Sequence, residues 1–293
     1  MTSKIAAPLA MMNKKLLFYT AEAARTIGTT TPVIQGIPRF VKEQNYCENF
    51  GRQWEKFSRT QLDNETFPRL SEERLTRCLG EPLGRLGGKL VLEAGCGSGR
   101  FTHLLLKHAH QVVSFDMSKS VEQNAINNTS PNLTIAQADI LDLPFKPACF
   151  DVVFCLGVLQ HTPSTAKSIR CLWQMVKPGG KLVIDHYKFK LRNILPPPIG
   201  TAAGVYRFFI LKLPNNWQLP AVKAIVSFWF PVHWLVRKNL ILDRMLSRLS
   251  PVYFYYNNPD ISLRCRNELY EHALLDTHDA LTCLLYTSPS PRD

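Results

Sequence analysis

Between residues 88 and 187 short apolar runs alternate with helical patterns, and this alternation leaves few folds open. Strands separated by helices pair in parallel, because a parallel neighbour is reached only by a crossover long enough to hold a helix. Lys89–Glu93 (KLVLE) reads as the first strand, followed by a glycine-rich turn and a helix from about Arg100. That helix carries Phe101, Leu104, Leu105 and His108 on one face, at i, i+3, i+4 and i+7. Gln111–Asp116 is the second strand, with Ser118 as cap of the next helix, and Asn132–Ala138 is the third. Phe150–Leu156 is apolar enough for burial on both faces. Thr162 then caps a helix with Pro163 at its first position, and Ile169, Leu172, Trp173 and Val176 form its inner stripe. Lys177-Pro178-Gly179-Gly180 stops that helix and turns into a fifth strand, Lys181–Asp185. The expected fold is α/β, a Rossmann-like parallel sheet.

The first turn reads Glu93-Ala94-Gly95-Cys96-Gly97-Ser98-Gly99-Arg100. In open parallel sheets, ligands bind outside the carboxyl ends of the strands, and glycines there let a backbone approach a ligand closely. The dinucleotide fingerprint GxGxxG needs a third glycine at position 100, where Arg100 stands. The pattern here is an acid followed by GxGxG, at 93, 95, 97 and 99. Asp116, at the end of strand two, can accept bonds from both hydroxyls of a ribose, each worth about 1.5–3 kcal/mol, or serve as an exposed cap residue. Asp139, after strand three, is placed to reach an adenine amino group, and is equally a turn former.

These residues resemble the class I S-adenosylmethionine-dependent methyltransferases, and within them the type 11-like branch acting on small molecules, lipids and saccharides. The likeness lies in LVLEAGCGSGRF, VVSFDMS, AQADILDLPF, FDVVFCLGVLQHTPS and VKPGGKLVIDHY, in that order across residues 89–187. It implies S-adenosyl-L-methionine as cofactor, with Glu93, Gly95, Gly97 and Gly99 at its amino-acid end. It further implies Asp116 and Met117 at the ribose, Asp139 and Ile140 at the adenine, and Leu156 and Gly157 on the floor near the sulfonium. Gln35–Val41 and Asn49–Trp54 look like the arm that precedes the core in relatives, and Leu274–Asp279 like the lead-in to the family's last helix and strands. Cys283–Asp293 (CLLYTSPSPRD) reads as a translated sequencing-adapter sequence, so the family's last two strands are expected beyond Thr282.

The domain organisation expected is a poorly patterned lead-in (1–36), a helical arm (37–87), the cofactor-binding core (88–187), a helical cap (188–282) and the adapter-like tail (283–293). Thirty-five Lys and Arg against 23 Asp and Glu give a net charge of +12, and residues 181–250 hold 11 of the basic side chains against 2 acids. Such a zone suits anionic partners. In the cap Phe208, Phe209, Trp217, Phe228, Trp229, Phe230 and Trp234 interleave with Lys and Arg. That pattern fits peripheral contact with an anionic lipid surface, or a cap that buries its aromatics against the sheet and leaves its charges solvated. Leu219–Val236 is the best candidate span, yet Lys223, His233 and two prolines argue against a crossing helix. Eight scattered cysteines without a CxxC exclude a zinc ribbon, leave no metal site expected, and point to a reducing, cytoplasmic setting.

Methyl transfer is an in-line displacement, so the protein's work is positioning and the exclusion of water. His161 is the candidate base for an acceptor oxygen, or merely a residue packed before the helix cap. His186 and Tyr187, at the end of strand five, are candidate substrate contacts. Gly157-Val158-Leu159-Gln160 stands where adenine and amide-nitrogen methyltransferases carry an Asx-Pro-Pro-aromatic turn, so a nucleic-acid acceptor is disfavoured against a small molecule, lipid or glycan. Cys155 fits plain core better than a nucleophile. A cofactor-holding module without turnover and a nicotinamide-dependent oxidoreductase are the alternatives from other classes.

Overall fold

A computed structural model describes residues 32–41, 70–185, 202–254 and 265–282. Residues 1–31 of the lead-in, Asn49–Trp54, His186, Tyr187, the proline run at 196–198 and the tail from Cys283 lie outside the described residues. The chain divides into two units, Met1–His186 and Tyr187–Asp293.

In the first unit a small antiparallel pair, β1 (Val33–Ile34) and β2 (Ile37–Pro38), precedes helix α1 (Leu70–Leu79) and a 3-10 turn at Leu83–Leu86. The sheet follows: β3 (Leu90–Ala94), α2 (Thr102–His108), β4 (Gln111–Asp116), α3 (Ser120–Asn127), β5 (Leu133–Gln137), β6 (Phe150–Cys155), α4 (Thr165–Met175) and β7 (Val176–Ile184). All five strands are parallel, in the order β5-β4-β3-β6-β7. The order reverses between β3 and β6, the place at which open parallel sheets take ligands in a crevice at the carboxyl ends of their strands.

Side chains alternate between the two faces of each strand, and both faces are covered. Leu92, Val113, Phe115, Ala136 and Val153 pack with Leu172 and Met175 of α4 on one side. Val91, Val112, Val152 and Phe154 pack with Leu75 of α1, Leu86 and Leu105 of α2 on the other. Burial on two faces is why these strands read as continuous apolar runs.

Several boundaries differ from expectation. Ser164 caps α4, accepting from the Lys167 amide, so Pro163 precedes the cap and Thr162 instead bonds the Leu159 carbonyl. Trp173 is 60% exposed, because Met175 takes the inner position on that turn. The Lys177–Gly180 segment is not a separate turn: β7 starts at Val176 and absorbs it through a register shift opposite Phe150 and Val152. Lys119, rather than Ser118, stands at the start of α3.

The second unit holds α5 (Ala203–Ile210), α6 (Asn215–Val236), α7 (Leu240–Leu249) and α8 (Arg266–Thr282). Leu274–Asp279 lies inside α8 rather than ahead of a helix. The aromatics of α5 and α6 divide: Phe230 is buried, Trp229 and Trp234 are half-buried, and Phe208, Phe209, Trp217 and Phe228 are exposed.

Phe150 is fully buried at the β6–β7 irregularity, edge-on to Phe145 at 5.6 Å between centroids. Phe150→Ala is expected to lower the unfolding free energy by about 3–5 kcal/mol in urea denaturation, through lost burial and the cavity left behind.

Candidate functional site

The loop after β3 is tied to the end of β4 by its own backbone. The Gly95 and Cys96 amides both donate to the Phe115 carbonyl, at 2.8 and 3.0 Å. The Gly97 amide donates to Asp116 Oδ2 at 2.9 Å. Asp116 Oδ1 accepts from the Ser118 amide at 2.8 Å and the Ser118 hydroxyl at 2.7 Å. The carboxylate therefore sits between two loops at the strand ends.

The glycines are required by geometry. Gly95 has φ +73°, and a Cβ there would lie 2.2 Å from Val158 Cγ2. Gly99 has φ +93°, and a Cβ there would fall 2.1 Å from Asn128 Nδ2 and 2.2 Å from Asn124 Oδ1. Those asparagines clamp the loop from behind. Asn128 donates to the Gly99 carbonyl at 3.0 Å and Asn127 to the Ser98 carbonyl at 2.9 Å. Asn124 donates to the Thr102 hydroxyl at 3.0 Å.

Glu93 lies beneath this loop, not on its surface. Its side chain leaves β3 on the face of Val91, where Oε2 accepts from the Thr102 hydroxyl at 2.5 Å and the Ser114 hydroxyl at 2.7 Å. Burial raises its pKa to about 7, against the lowering effect of those two hydroxyls and with a smaller upward push from Asp116.

Met117 accepts from Gln137 Nε2 at 2.8 Å through its carbonyl. Gln137 also accepts from Arg39 at 3.1 Å, and Arg39 pairs with Glu122 at 2.7 Å, so the β1–β2 segment braces the loop after β4. Asp139 forms a local turn, Oδ1 accepting from the Leu141 amide at 2.9 Å. Ile140 is buried among core residues that include Phe145.

Across the crevice, Asp185 links the ends of β6 and β7. It accepts from the Gly157 amide at 2.5 Å and pairs with Arg74 of α1. Leu156 is buried, and Gly157 has φ +74°. His161 is half-buried on a 3-10 turn, Leu159–His161. Its Nε2 lies 3.1 Å from the Gln160 side-chain amide, within hydrogen-bond distance. Burial pushes the Cys155 thiol far above its ordinary value, as suits a core residue. Among the described residues no group of His, Cys, Asp and Glu is arranged to hold a metal.

Sequence reasoning missed Arg74, Asp185 as a link, and the asparagine clamp. A signal for the last was present, since Asn124, Asn127 and Asn128 fall at i, i+3 and i+4 and share a helix face.

Glu93→Gln supplies a test of the buried carboxyl. Its folded pKa lies above its ordinary 4.5, so between those values the folded chain keeps a proton that the unfolded chain releases. Stability should therefore fall as pH rises from 4.5 to about 7. In the glutamine variant that fall should disappear, leaving it more stable than the parent at pH 8 by about 3 kcal/mol in urea denaturation.

Comparison with known proteins follows the same residues. Residues 92–184 match the family described as Methyltransferase domain. The chain is 36% identical over 100 residues to a ubiquinone biosynthesis O-methyltransferase of Coxiella burnetii, covering 33% of this chain and 43% of that protein. It is 28% identical over 147 residues to a tRNA U34 carboxymethyltransferase of Helicobacter acinonychis, covering 48% and 53%. Among solved structures, an S-adenosylmethionine dependent methyltransferase from Mesorhizobium loti aligns with 44% of this chain and 59% of its own, at 23% identity and a TM-score of 0.38. The chain thus spans about half the length of the curated relatives it matches. Residues 92–184 are thus similar to a methyltransferase domain, over the span that holds the sheet and the glycine loop.

Proposed function

We propose that this chain transfers a methyl group from S-adenosylmethionine to a small-molecule, lipid or glycan acceptor. The observation that carries the reading is the bare backbone of Gly95–Gly99 held against Asp116 at the point where the strand order reverses. The residues fit the cofactor. Glycine backbone suits its amino-acid end, and the Asp116 carboxylate suits a ribose diol, which would share it with the Gly97 amide. Met117 flanks the ribose, Asp139 and the edge of Ile140 meet the adenine, and Leu156 and Gly157 floor the sulfonium. Glu93 acts as a positioning residue, holding the loop through Thr102 and Ser114.

When bound, S-adenosylmethionine supplies a methyl carbon already activated by a positive sulfur. The chain's part is to align the acceptor and exclude water. His161 takes the acceptor's proton at Nε2, which requires Gln160 to turn aside. His186 and Tyr187 contact the acceptor. The six described cysteines are all free, which supports a reducing, cytoplasmic setting as part of the same proposal.

Calorimetric titration of the full chain with S-adenosylmethionine tests the cofactor site. Asp116→Ala should weaken binding tenfold or more, about 1.4 kcal/mol or above. Unchanged binding in the mutant, or none by a folded parent, would refute it.

Similarity to a tRNA U34 carboxymethyltransferase favours a nucleic-acid acceptor as the second reading. Methyl-labelled cofactor, incubated with cell extract and the full chain, separates the two. The proposal expects label in solvent-extractable or glycan fractions, lowered roughly 100-fold by His161→Ala with cofactor affinity unchanged. Label that nuclease releases from acid-precipitable material would establish the other reading.

A further inference from the structure

Helix α7 is amphipathic in the wrong sense for a helix of a protein surrounded by water. None of its residues is buried, and its apolar side faces outward: Ile241 is 71% exposed, Met245 60% and Leu249 55%. Its acid, Asp243, turns inward instead, with Oδ1 3.8 Å from Nδ1 of the buried His233. Arg244 and Arg248 are exposed and flank the apolar stripe, one residue before Met245 and one before Leu249.

Helix α6 repeats the arrangement. Val222, Val226, Phe230 and His233 form its buried stripe. At 100° per residue, Trp217, Ala224, Phe228 and Leu235 fall on one line opposite that stripe. Trp217 is 62% exposed, Phe228 68% and Leu235 81%. On α5, Phe208 and Phe209 also face out, and the Lys212 ammonium sits 3.9 Å from the Phe208 ring centre.

The charge of these three helices is mostly of one sign. Residues 202–254 hold seven Lys and Arg against Asp243 alone, and Asp243 is turned towards His233; Arg207 and Arg237 are half-buried against the Ala280 and Trp234 carbonyls, which leaves five for the surface. Long basic side chains beside outward aromatics and aliphatics can lay their stems on hydrocarbon and hold their charge at phosphate depth.

We propose that α5, α6 and α7 form a membrane-docking surface. It lies on a bilayer containing anionic phospholipid, with the outward faces of α6 and α7 in the boundary between headgroups and acyl chains. The basic side chains around them pair with lipid phosphate. This inference is independent of the methyl-transfer reading.

Three other occupants fit less well. Nucleic acid would use the positive charge and stack on aromatics, but has no use for exposed Ile241, Leu242, Met245 and Leu249. A second copy of this chain would bring the same positive surface against itself. A crossing helix is open to α6 by length and composition. However, Lys223 lies in its middle, and α8 packs along it, with Tyr270 Oη 2.8 Å from Ser227 Oγ and Glu268 and Glu271 on the same helix.

The test is co-sedimentation of the full chain with vesicles of phosphatidylcholine alone or mixed with phosphatidylglycerol. Binding to the mixed vesicles should be at least tenfold stronger and should weaken as salt is raised. Ile241→Ser with Met245→Ser, and separately Arg244→Glu with Arg248→Glu, should each lower that binding tenfold or more. These side chains face outward, so circular-dichroism melting should stay that of the parent. Equal sedimentation of parent and variants, or no vesicle binding by a folded parent, overturns the proposal. So does a dimer in solution that the same substitutions dissociate, binding to RNA tighter than to vesicles, or retention in the membrane pellet after alkaline carbonate.

Discussion

Two amides, of Gly95 and Cys96, converge on the carbonyl oxygen of Phe115, and a third, of Gly97, reaches the carboxylate of Asp116. This joint closes the end of β3 onto the end of β4, and the rest of the crevice is arranged around it. The β3–β4 register sets Ala94 opposite Phe115, which brings the loop's amides within reach of the neighbouring strand's last carbonyl. Two of these amides bond backbone and the third a carboxylate, while Asn127 and Asn128 hold the Ser98 and Gly99 carbonyls from behind. A loop without side chains at 95, 97 and 99 therefore keeps one shape and still presents bare backbone to the crevice.

What supports the joint is polar and buried, in contrast to the apolar sheet beneath. Glu93, Thr102, Ser114 and Asn124 form a hydrogen-bonded cluster between β3, β4 and the two following helices. Low dielectric makes each bond in such a cluster stronger and each broken one costlier, so the cluster specifies one packing of α2 and α3 on the sheet. The raised pKa of Glu93 is the cost of this device. On the opposite bank Asp185 plays the corresponding part, joining the Gly157 amide to Arg74 of α1.

Much of this was legible in the sequence, for physical reasons that also explain the misses. Gln111–Asp116 is a strand to the residue, because an apolar run with a loop on either side has little freedom in its ends. The GxGxG turn was legible because positive φ and close approach admit few residue types. Glu93 was harder. Period-two alternation puts it with Val91, but nothing in a sequence says which face of the sheet receives α2. Thr162 and Ser164 both carry a hydroxyl ahead of α4, and only the geometry of the Lys167 amide decides between them. The partition of aromatics in α6 is a tertiary fact: Phe228 and Phe230 differ by two positions, and one is outward while the other is buried.

Hydrogen–deuterium exchange of the full chain, with and without S-adenosylmethionine, tests most directly whether this joint is the cofactor's seat. The account predicts added protection in peptides spanning residues 93–100 and 116–120, with Gly157 following and the amides of α6 and α7 unchanged. Protection confined to other parts of a folded chain, or none at saturating cofactor, would contradict it.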